Sequence, residues 1–201
     1  MNYKNVYAPY LNNVAIAEKV EIFRKKFWDN SIPVEIEDII ELKLNISLVP
    51  IPGFLKLTNM DALLTSDWEC IYVDYSEYLD DRRYNRLRFS LAHEIGHYVM
   101  HKQIYSNFGI KTLEDYYKLY KDIPARQYGY LECQANKFAS YLLIPREILA
   151  VEIEKELKDK NDPRLQKIDR LTLNSYLAKP LSKIFKVSEE AVVIALRDIT
   201  P

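Results

Sequence analysis

All three histidines of this chain lie in one short segment, residues 89–101, which reads FSLAHEIGHYVMH. Apolar residues recur at fourfold spacing through this region, which predicts an amphipathic α-helix over residues 81–101. Its core face consists of Leu87, Leu91, Ile95 and Val99. Residues four apart on a helix are separated by about 40° around the axis and about 6 Å along it, so His93 and His97 point the same way. Any fold of this chain must therefore bring a second element to the two imidazoles, or leave both in solvent.

The spacing of His93 and His97 is the one that zinc peptidases use to hold their metal with two imidazoles. The adjacent Glu94 would then take a proton from water activated by the metal, without ligating the metal itself. Gly96 adds support, because a glycine inside a helix costs about 1 kcal/mol relative to alanine, and we expect another backbone to approach closely there. The alternative is a solvent-exposed helix face that carries these residues without a metal.

His101 lies one turn beyond His97, but we expect it outside the ligand shell of the metal. On a straight helix it rises about 12 Å above His93, whereas zinc–nitrogen bonds are about 2 Å long, so one ion cannot reach all three rings. No histidine remains elsewhere in the chain. A third ligand must then be a carboxylate or a thiol from a second helix.

The best candidate is Glu132, in the segment LECQANKFASYLLIP, residues 131–145. A helix is predicted over residues 127–143, and burying this carboxylate beside its apolar face requires a compensating charge such as zinc. Asn136, one turn on, is predicted to hydrogen-bond a ligand histidine and fix its ring. Two alternatives stay open: Glu132 as a rim residue paired with a lysine, and Cys133 as the ligand. Cys133 points about 100° away from Glu132 and is predicted to be a core thiol.

The rest of the pattern predicts an α+β fold in which a small, mostly antiparallel sheet packs against helices. An N-terminal helix is expected over residues 14–28, and three or four strands over residues 45–75, from NISLVPI, FLKL, DALLTS and WECIYVDYS. The polar stretch KDKNDPRLQKIDR follows a further helix that starts at Pro145. We therefore predict a main domain over residues 1–158 and a C-terminal helical appendage over residues 159–201.

Composition excludes several classes of function. The 28 basic and 29 acidic residues give a net charge of −1, so no broad field attracts nucleic acid or an anionic membrane. No apolar run approaches the roughly 20 residues needed to cross a bilayer. Two cysteines are too few for a disulfide framework, and MNYKNVYAPYLNN lacks the apolar core of a signal peptide. The expected location is the cytoplasm.

A DNA-binding regulator is the alternative from another class, because LAKPLSKIFKVSEEAVVIALRDI has helix-turn-helix spacing. Its second helix opens with Glu189 and Glu190, which would repel phosphates. Ser188 as an N-cap with acids in the first turn explains the same residues without DNA. No direct contact with nucleic acid is expected.

The segments RFSLAHEIGH and ECQANKFASYLLIP together resemble the ImmA/IrrE family of metallo-endopeptidases, whose metal site is of the zincin type. The resemblance covers about residues 30–200, including the helix and small sheet before the metal helix and KIFKVSEEAVVIALRDI behind it. It implies that His93, His97 and Glu132 bind one zinc ion, with manganese as an alternative, and that Glu94 is the catalytic acid/base. It also implies a metallopeptidase domain over residues 1–158 and an intracellular protein substrate, such as a helix-turn-helix transcriptional repressor.

This sequence departs from the family pattern at three places. A helix precedes residue 30, a Tyr-rich insertion spans residues 102–130, and Gln134 stands where the family often has a second glutamate. The last change is not expected to touch the metal, because the ligand position is Glu132.

Further expectations concern the substrate. Tyr105, Tyr128 or Tyr130 could donate a hydrogen bond to the developing oxyanion, and the strand CIYVDYS is a candidate edge for pairing with an extended peptide. An interior position of that strand is the alternative. A metal-binding regulatory or sensor protein without peptidase activity is the remaining alternative function.

Overall fold

The computed structural model describes residues 3–80, 83–160 and 168–199, and the predicted α+β class is confirmed. The helices are α1 (Asn13–Phe27), α2 (Ile36–Asp38, continued by a π-helical turn over Ile39–Lys43), α3 (Phe54–Thr58), α4 (Tyr75–Leu79), α5 (Tyr84–Met100), α6 (Lys102–Tyr105), α7 (Leu113–Asp122), α8 (Ala125–Leu143), α9 (Arg146–Lys160), α10 (Arg170–Phe185) and α11 (Glu189–Ile199). The strands are β1 (Ser47–Ile51), β2 (Ala62–Leu64) and β3 (Cys70–Asp74). The helices predicted over residues 14–28, 81–101 and 127–143 correspond to α1, α5 and α8; residues 81–82 lie outside the described part.

The sheet is mixed, which corrects the expectation of a mostly antiparallel one. Its strand order is β1-β3-β2, with β1 parallel and β2 antiparallel to β3. The short connection between β2 and β3 makes these two strands a hairpin, whereas α3 and β2 separate β1 from β3 in the chain and allow a parallel pairing. Because β3 is the central strand, the prediction that CIYVDYS forms an edge is wrong, and β2 is the edge strand on that side.

The segment FLKL is helical, so its assignment as a strand is also wrong. Gly53 precedes α3 with φ 72°, and Asn59 ends it with φ 59°, so left-handed residues bound a single helical segment. Phe54 is fully buried. Four residues are too few to distinguish the strand period of about 2 from the helix period of about 3.6. The flanking turn residues therefore decide that the segment is a helix.

Helices α5 and α8 pack closely and form the centre of the main core. Leu87, Leu91 and Ile95 of α5 are buried, and Val99 is partly buried. The apolar face of α8 is buried as well, and consists of Leu131, Ala135, Phe138 and Leu142. A Cβ at Gly96 would lie 3.0 Å from Ala135 Cα and 3.1 Å from Ala135 O. The expectation that another backbone approaches Gly96 is confirmed.

We therefore expect Gly96→Ala to destabilise the protein by about 1–3 kcal/mol, because α8 must move away from α5 and the gain in helix propensity of about 1 kcal/mol does not offset the overpacking. Gly129→Ala is the matched control, since it lies in α8 with no atom within 4 Å of a Cβ placed there. That variant should be stabilised by up to about 1 kcal/mol. Urea denaturation of both variants measures the difference, and equal stability of the two would contradict this account of the helix contact.

The C-terminal helices contribute to the main core through Leu177, Leu181 and Phe185 of α10 and Val192 and Leu196 of α11. The predicted boundary segment includes residues 161–167, which lie outside the described part. The division into a domain over residues 1–158 and an appendage over residues 159–201 therefore stays a prediction.

A buried arginine connects α5 to the C-terminal helices. Arg88 is fully buried; its Nε donates to Lys186 O, at the end of α10, and its Nη2 donates to Val34 O. Nη1 forms an ion pair with Glu35. These contacts fix the start of α5 between the N-terminal and C-terminal parts of the core.

Helix α11 begins as the sequence predicts. The Ser188 hydroxyl accepts a hydrogen bond from Ala191 N, and Glu189 and Glu190 occupy the first turn. Its Val192 and Leu196 face the core. In the ranges that the structure describes, none of the helices has both the length and the apolar character required to span a bilayer.

Candidate metal centre

The two imidazoles of α5 face one point on its surface. The Nε2 atoms of His93 and His97 lie 3.0 Å apart. The His97 side chain is 2% exposed and that of His93 is 14% exposed, so His93 forms the more open side of the site. The helical spacing therefore brings both nitrogens to one position at the boundary between core and solvent.

Helix α8 brings a carboxylate to the same position. Glu132 Oε2 lies 3.4 Å from His93 Nε2, and Glu132 Oε1 lies 3.4 Å from His97 Nε2. The close contact of the helices at Gly96 and Ala135 allows this short approach. The rim position with a lysine partner, considered from the sequence, is not what the structure has, since Glu132 faces the two rings.

These distances fit a tetrahedral metal. Ligand atoms about 2.0–2.1 Å from a tetrahedral ion are about 3.4 Å from one another. Here the two Nε2 atoms are 3.0 Å apart, and each lies 3.4 Å from one of the two Glu132 oxygens. Two imidazoles and one carboxylate form a donor set used by catalytic zinc, which leaves a fourth position open. One donor atom from each of His93, His97 and Glu132 lies within 4.8 Å of the other two, so the three side chains could hold a divalent ion.

Glu94 lies beside this group and contacts β2. It is 7% exposed, and its Oε2 accepts a hydrogen bond of 2.9 Å from Leu64 N. Burial raises the pKa of Glu94, although the nearby charges of His93 and His97 oppose the shift. A carboxyl with a raised pKa is a better proton acceptor near neutral pH than an ordinary glutamate.

A cleft of about 240 Å³ opens onto the site. One wall is formed by β2 and the residue before it, with Asp61, Ala62 and Leu63, and the other by α5 and α8. The three candidate ligands and Glu94 line the cleft between these walls. An extended chain entering the cleft would therefore pass directly over the candidate metal position.

A family model for peptidases, described as the IrrE N-terminal-like domain, matches residues 69–197. The chain belongs to the ImmA/IrrE family of metallopeptidases. The match includes α5 and α8 and begins just before β3, so α1, β1 and β2 precede the matched residues. The comparison with curated proteins found no match.

Within this family site, polar partners hold both rings of α5 from behind. Asn136 Oδ1 lies 2.9 Å from His93 Nδ1, the contact anticipated from the sequence. His101 Nδ1 lies 3.0 Å from His97 Nδ1, so His101 touches a candidate ligand from the side opposite Glu132. The nearest partner beyond His101 is Gln134, whose Oε1 is 2.9 Å from His101 Nε2.

The charges of the site are strongly coupled. Burial opposes the charged form of His93, but its hydrogen bond to Glu132 and the charges of Glu94 and Glu132 raise the pKa of His93 to about 9. Burial would raise the pKa of Glu132, yet the adjacent imidazoles of His93 and His97 lower it. Glu132 is therefore anionic at neutral pH, and its negative charge favours a cation between the three side chains.

Two of the three tyrosines considered as oxyanion donors line the cleft. Tyr105 is 6% exposed and stacks on His97 with 4.9 Å between ring centroids, and the Tyr128 hydroxyl lies 3.0 Å from that of Tyr116. Burial raises the pKa of Tyr105 and of Tyr128, so both keep their protons. Tyr130 is absent from the cleft lining and instead accepts a hydrogen bond from Arg126.

The sequence reasoning missed Tyr116, which lines the cleft from α7. A signal was present in the sequence, because Thr112 is an N-cap residue: it caps α7 and thereby sets which residues of the Tyr-rich insertion face inward. Cys133 differs from its prediction too: it is exposed and not a core thiol. It lies two residues after Leu131, about 200° around α8 from that core residue, which turns it to solvent.

Proposed function

We propose that this chain is a zinc-dependent endopeptidase that cuts a specific protein in the cytoplasm, such as a helix-turn-helix transcriptional repressor. The observation that carries the proposal is the convergence of His93, His97 and Glu132 from two helices, with Glu94 beside them in an open cleft. Membership of a metallopeptidase family supports the same chemistry. The repressor as substrate and the cytoplasmic location follow from the resemblance and from the sequence alone.

His93, His97 and Glu132 would hold the ion through two Nε2 atoms and a carboxylate, with manganese as an alternative to zinc. A bound zinc ion supplies Lewis acidity, which lowers the pKa of water and polarises a peptide carbonyl. The remaining chemistry belongs to the side chains of the cleft.

Glu94 would act as the general base and then as the general acid. Its Oε2 is engaged by Leu64 N, so the other oxygen, Oε1, is the one available to take the proton of the attacking water. The raised pKa lets the same group return that proton to the leaving amine. Leu64 N fixes the carboxylate by a backbone contact, so its position does not depend on a flexible side chain.

Tyr105 and Tyr128 are the candidates for stabilising the negative charge that develops on the carbonyl oxygen. Both remain protonated and both line the cleft, so each can donate a hydrogen bond. Tyr116 would orient the Tyr128 hydroxyl through their mutual hydrogen bond.

The substrate backbone would pair with the free edge of β2. Asp61 O accepts a hydrogen bond from Asp74 N, and Thr65 N donates to Cys70 O. Because inward and outward backbone groups alternate along a strand, the N–H and C=O groups of Ala62 and Leu64 point away from β3. Leu64 N is used by Glu94, so Ala62 offers the backbone groups for β-addition. Its position in the cleft lining supports this role.

A groove of about 680 Å³ adjoins the cleft and shares Asp61, Phe89, Ser90 and Asn136 with it. Asp61 lies just before β2 and contacts Arg86 and Ser90 of α5, whereas Leu64 lies at the end of β2 and contacts Glu94. A peptide that pairs antiparallel to β2 runs from Leu64 toward Asp61. Its C-terminal part therefore leaves the cleft at the Asp61 end. The groove would accept substrate residues on the C-terminal side of the scissile bond.

Ala62→Pro is expected to slow peptide cleavage at least about tenfold while zinc content stays the same, because proline removes the outward N–H of the edge strand and leaves the ladder to β3 intact. Ala62→Ser is the matched control, since it keeps that N–H. The measurement is kcat/KM on one quenched fluorescent peptide that the wild-type protein cuts. Equal rates for the two variants would exclude β2 as the substrate edge.

The function itself is tested with zinc-loaded protein and a mixture of peptides derived from a whole proteome, followed by mass spectrometry of new termini. Peptidase activity predicts new termini that disappear when the metal is removed by a chelator. Stoichiometric zinc without any new terminus, on peptides and on intact proteins alike, would favour the metal-binding regulatory or sensor protein instead.

A further inference from the structure

We propose that His101 and Gln134 are positioning residues that hold the proton of His97 on Nδ1 and so direct its bare Nε2 toward the metal. The inference rests on the proposed metal site. It adds a connection from that site to the N-terminal segment, because Gln134 donates a hydrogen bond to the carbonyl oxygen of Pro9. Four groups form one chain of hydrogen bonds: His97 to His101 at 3.0 Å, His101 to Gln134 at 2.9 Å, and Gln134 to Pro9 O at 2.7 Å.

The direction of this chain is set at its far end. Pro9 O is a backbone carbonyl and can only accept, so the amide nitrogen of Gln134 must be the donor. The other half of the amide, Gln134 Oε1, then faces His101 and can only accept. His101 Nε2 must therefore carry a hydrogen and donate to Gln134.

The two imidazole rings continue the same order of donors and acceptors. A neutral imidazole with a hydrogen on Nε2 has a bare Nδ1, so His101 Nδ1 accepts from His97. His97 Nδ1 then carries the hydrogen, which leaves its Nε2 with a free lone pair, 3.4 Å from Glu132 Oε1. The opposite set of tautomers would turn the Gln134 carbonyl oxygen toward Pro9 O, where two acceptors would repel each other.

Burial makes this arrangement rigid. His97 is 2%, His101 is 1% and Gln134 is 4% exposed, so these groups have little access to water as a replacement partner. A buried polar group left without its hydrogen bond costs about 1–3 kcal/mol, which penalises any other tautomer. His93 differs, because it is more exposed and its Nδ1 contacts Asn136.

The anchor of the chain of hydrogen bonds lies outside the residues that the family model matches. Pro9 precedes the matched residues 69–197, and the neighbouring Ala8 N donates to Gln127 Oε1 of α8 at 2.8 Å. The N-terminal segment is therefore attached to α8 at two points, one of them the start of the chain of hydrogen bonds to His97. His101 contributes by orienting a ligand, which agrees with the prediction that it does not bind the ion itself.

The test compares zinc affinity by competition with a chelator in the wild-type protein and in four variants, one of which is a control. His101→Leu removes both hydrogen bonds and should weaken zinc binding about 10–100-fold. His101→Asn keeps an acceptor near the position of Nδ1 and should bind within about fivefold of the wild type. Gln134→Met keeps the size of the side chain without its polar atoms and should weaken binding about tenfold. Gln103→Met, at an exposed position of α6, is the matched control and should not change the affinity.

A second measurement does not depend on any variant folding. Nitrogen-15 NMR of the zinc-loaded wild-type protein should report His101 as a neutral ring with its hydrogen on Nε2. A hydrogen on Nδ1 of His101, or wild-type affinity in His101→Leu, would overturn the positioning role while zinc binding remains. A wild-type protein that binds no zinc, or a His97→Ala variant that binds it equally well, would overturn the metal site and this inference together.

Discussion

Glu94→Gln is expected to lower kcat for peptide cleavage by about 10²–10⁴-fold while the zinc content stays at that of the wild type, because the amide cannot accept the proton of the attacking water. Gln is isosteric with Glu, and its side-chain oxygen can still accept the hydrogen bond from Leu64 N, which Glu94 Oε2 accepts at 2.9 Å. The loss should therefore reflect the proton transfer alone. Steady-state kinetics and elemental analysis of the same preparation measure both quantities.

The control for Glu94→Gln is Glu69→Gln, which makes the same chemical change at an exposed position in the loop before β3. Its kinetics and zinc content should match the wild type. Cleavage by Glu94→Gln within about tenfold of the wild-type rate would remove Glu94 from the role of general base. Loss of zinc from that variant would instead point to a ligand role for Glu94.

Glu132→Ala is expected to weaken zinc binding by about a hundredfold or more. Four ligands share an apparent binding energy of about 10–16 kcal/mol in structural sites, so one ligand accounts for about 3 kcal/mol. The variant also leaves His93 and His97 without their carboxylate partner, 3.4 Å from each Nε2. Zinc content after dialysis and competition with a chelator measure the change, and circular dichroism establishes that the variant is folded.

Cys133→Ala is the matched control, because it removes the other candidate donor of the same helix segment at an exposed site. It should retain zinc with wild-type affinity. Loss of zinc from Cys133→Ala together with retention by Glu132→Ala would assign the third ligand to the thiol and contradict the proposed site.

Local sequence patterns predicted the parts of this protein that depend on neighbours along the chain. The helical period indicated α5 and α8 and the side of each that is buried, because an amphipathic helix repeats its apolar residues in step with its own geometry. Because a glycine inside a helix is destabilising, Gly96 predicted that another backbone approaches the helix closely at this position. The backbone of Ala135 in α8 does so. The spacing of His93 and His97 likewise implied that their rings share one side of the helix.

Patterns of this kind did not identify strand neighbours. The alternation in residues 70–74 predicted a strand, but alternation reports which faces are buried and carries no information on which strand lies at the edge. The central position of β3 follows from the pairing with both β1 and β2. FLKL shows a related limit, since its left-handed flanking residues, and not its apolar residues, determine a helix.

The sequence by itself determined the family, the α+β class and the two helices that carry the candidate ligands, because each depends on local period, spacing or motif. Only the tertiary structure decided which edge faces the cleft, that Tyr116 and Tyr128 meet, and that Gln134 and Pro9 hold His101 in one orientation. Pro9 and Gln134 are 125 residues apart, and His101 and Gln134 are 33 apart. The physical reason is that a contact between distant residues is selected by how whole helices and segments pack, and this packing leaves no repeating pattern in the sequence.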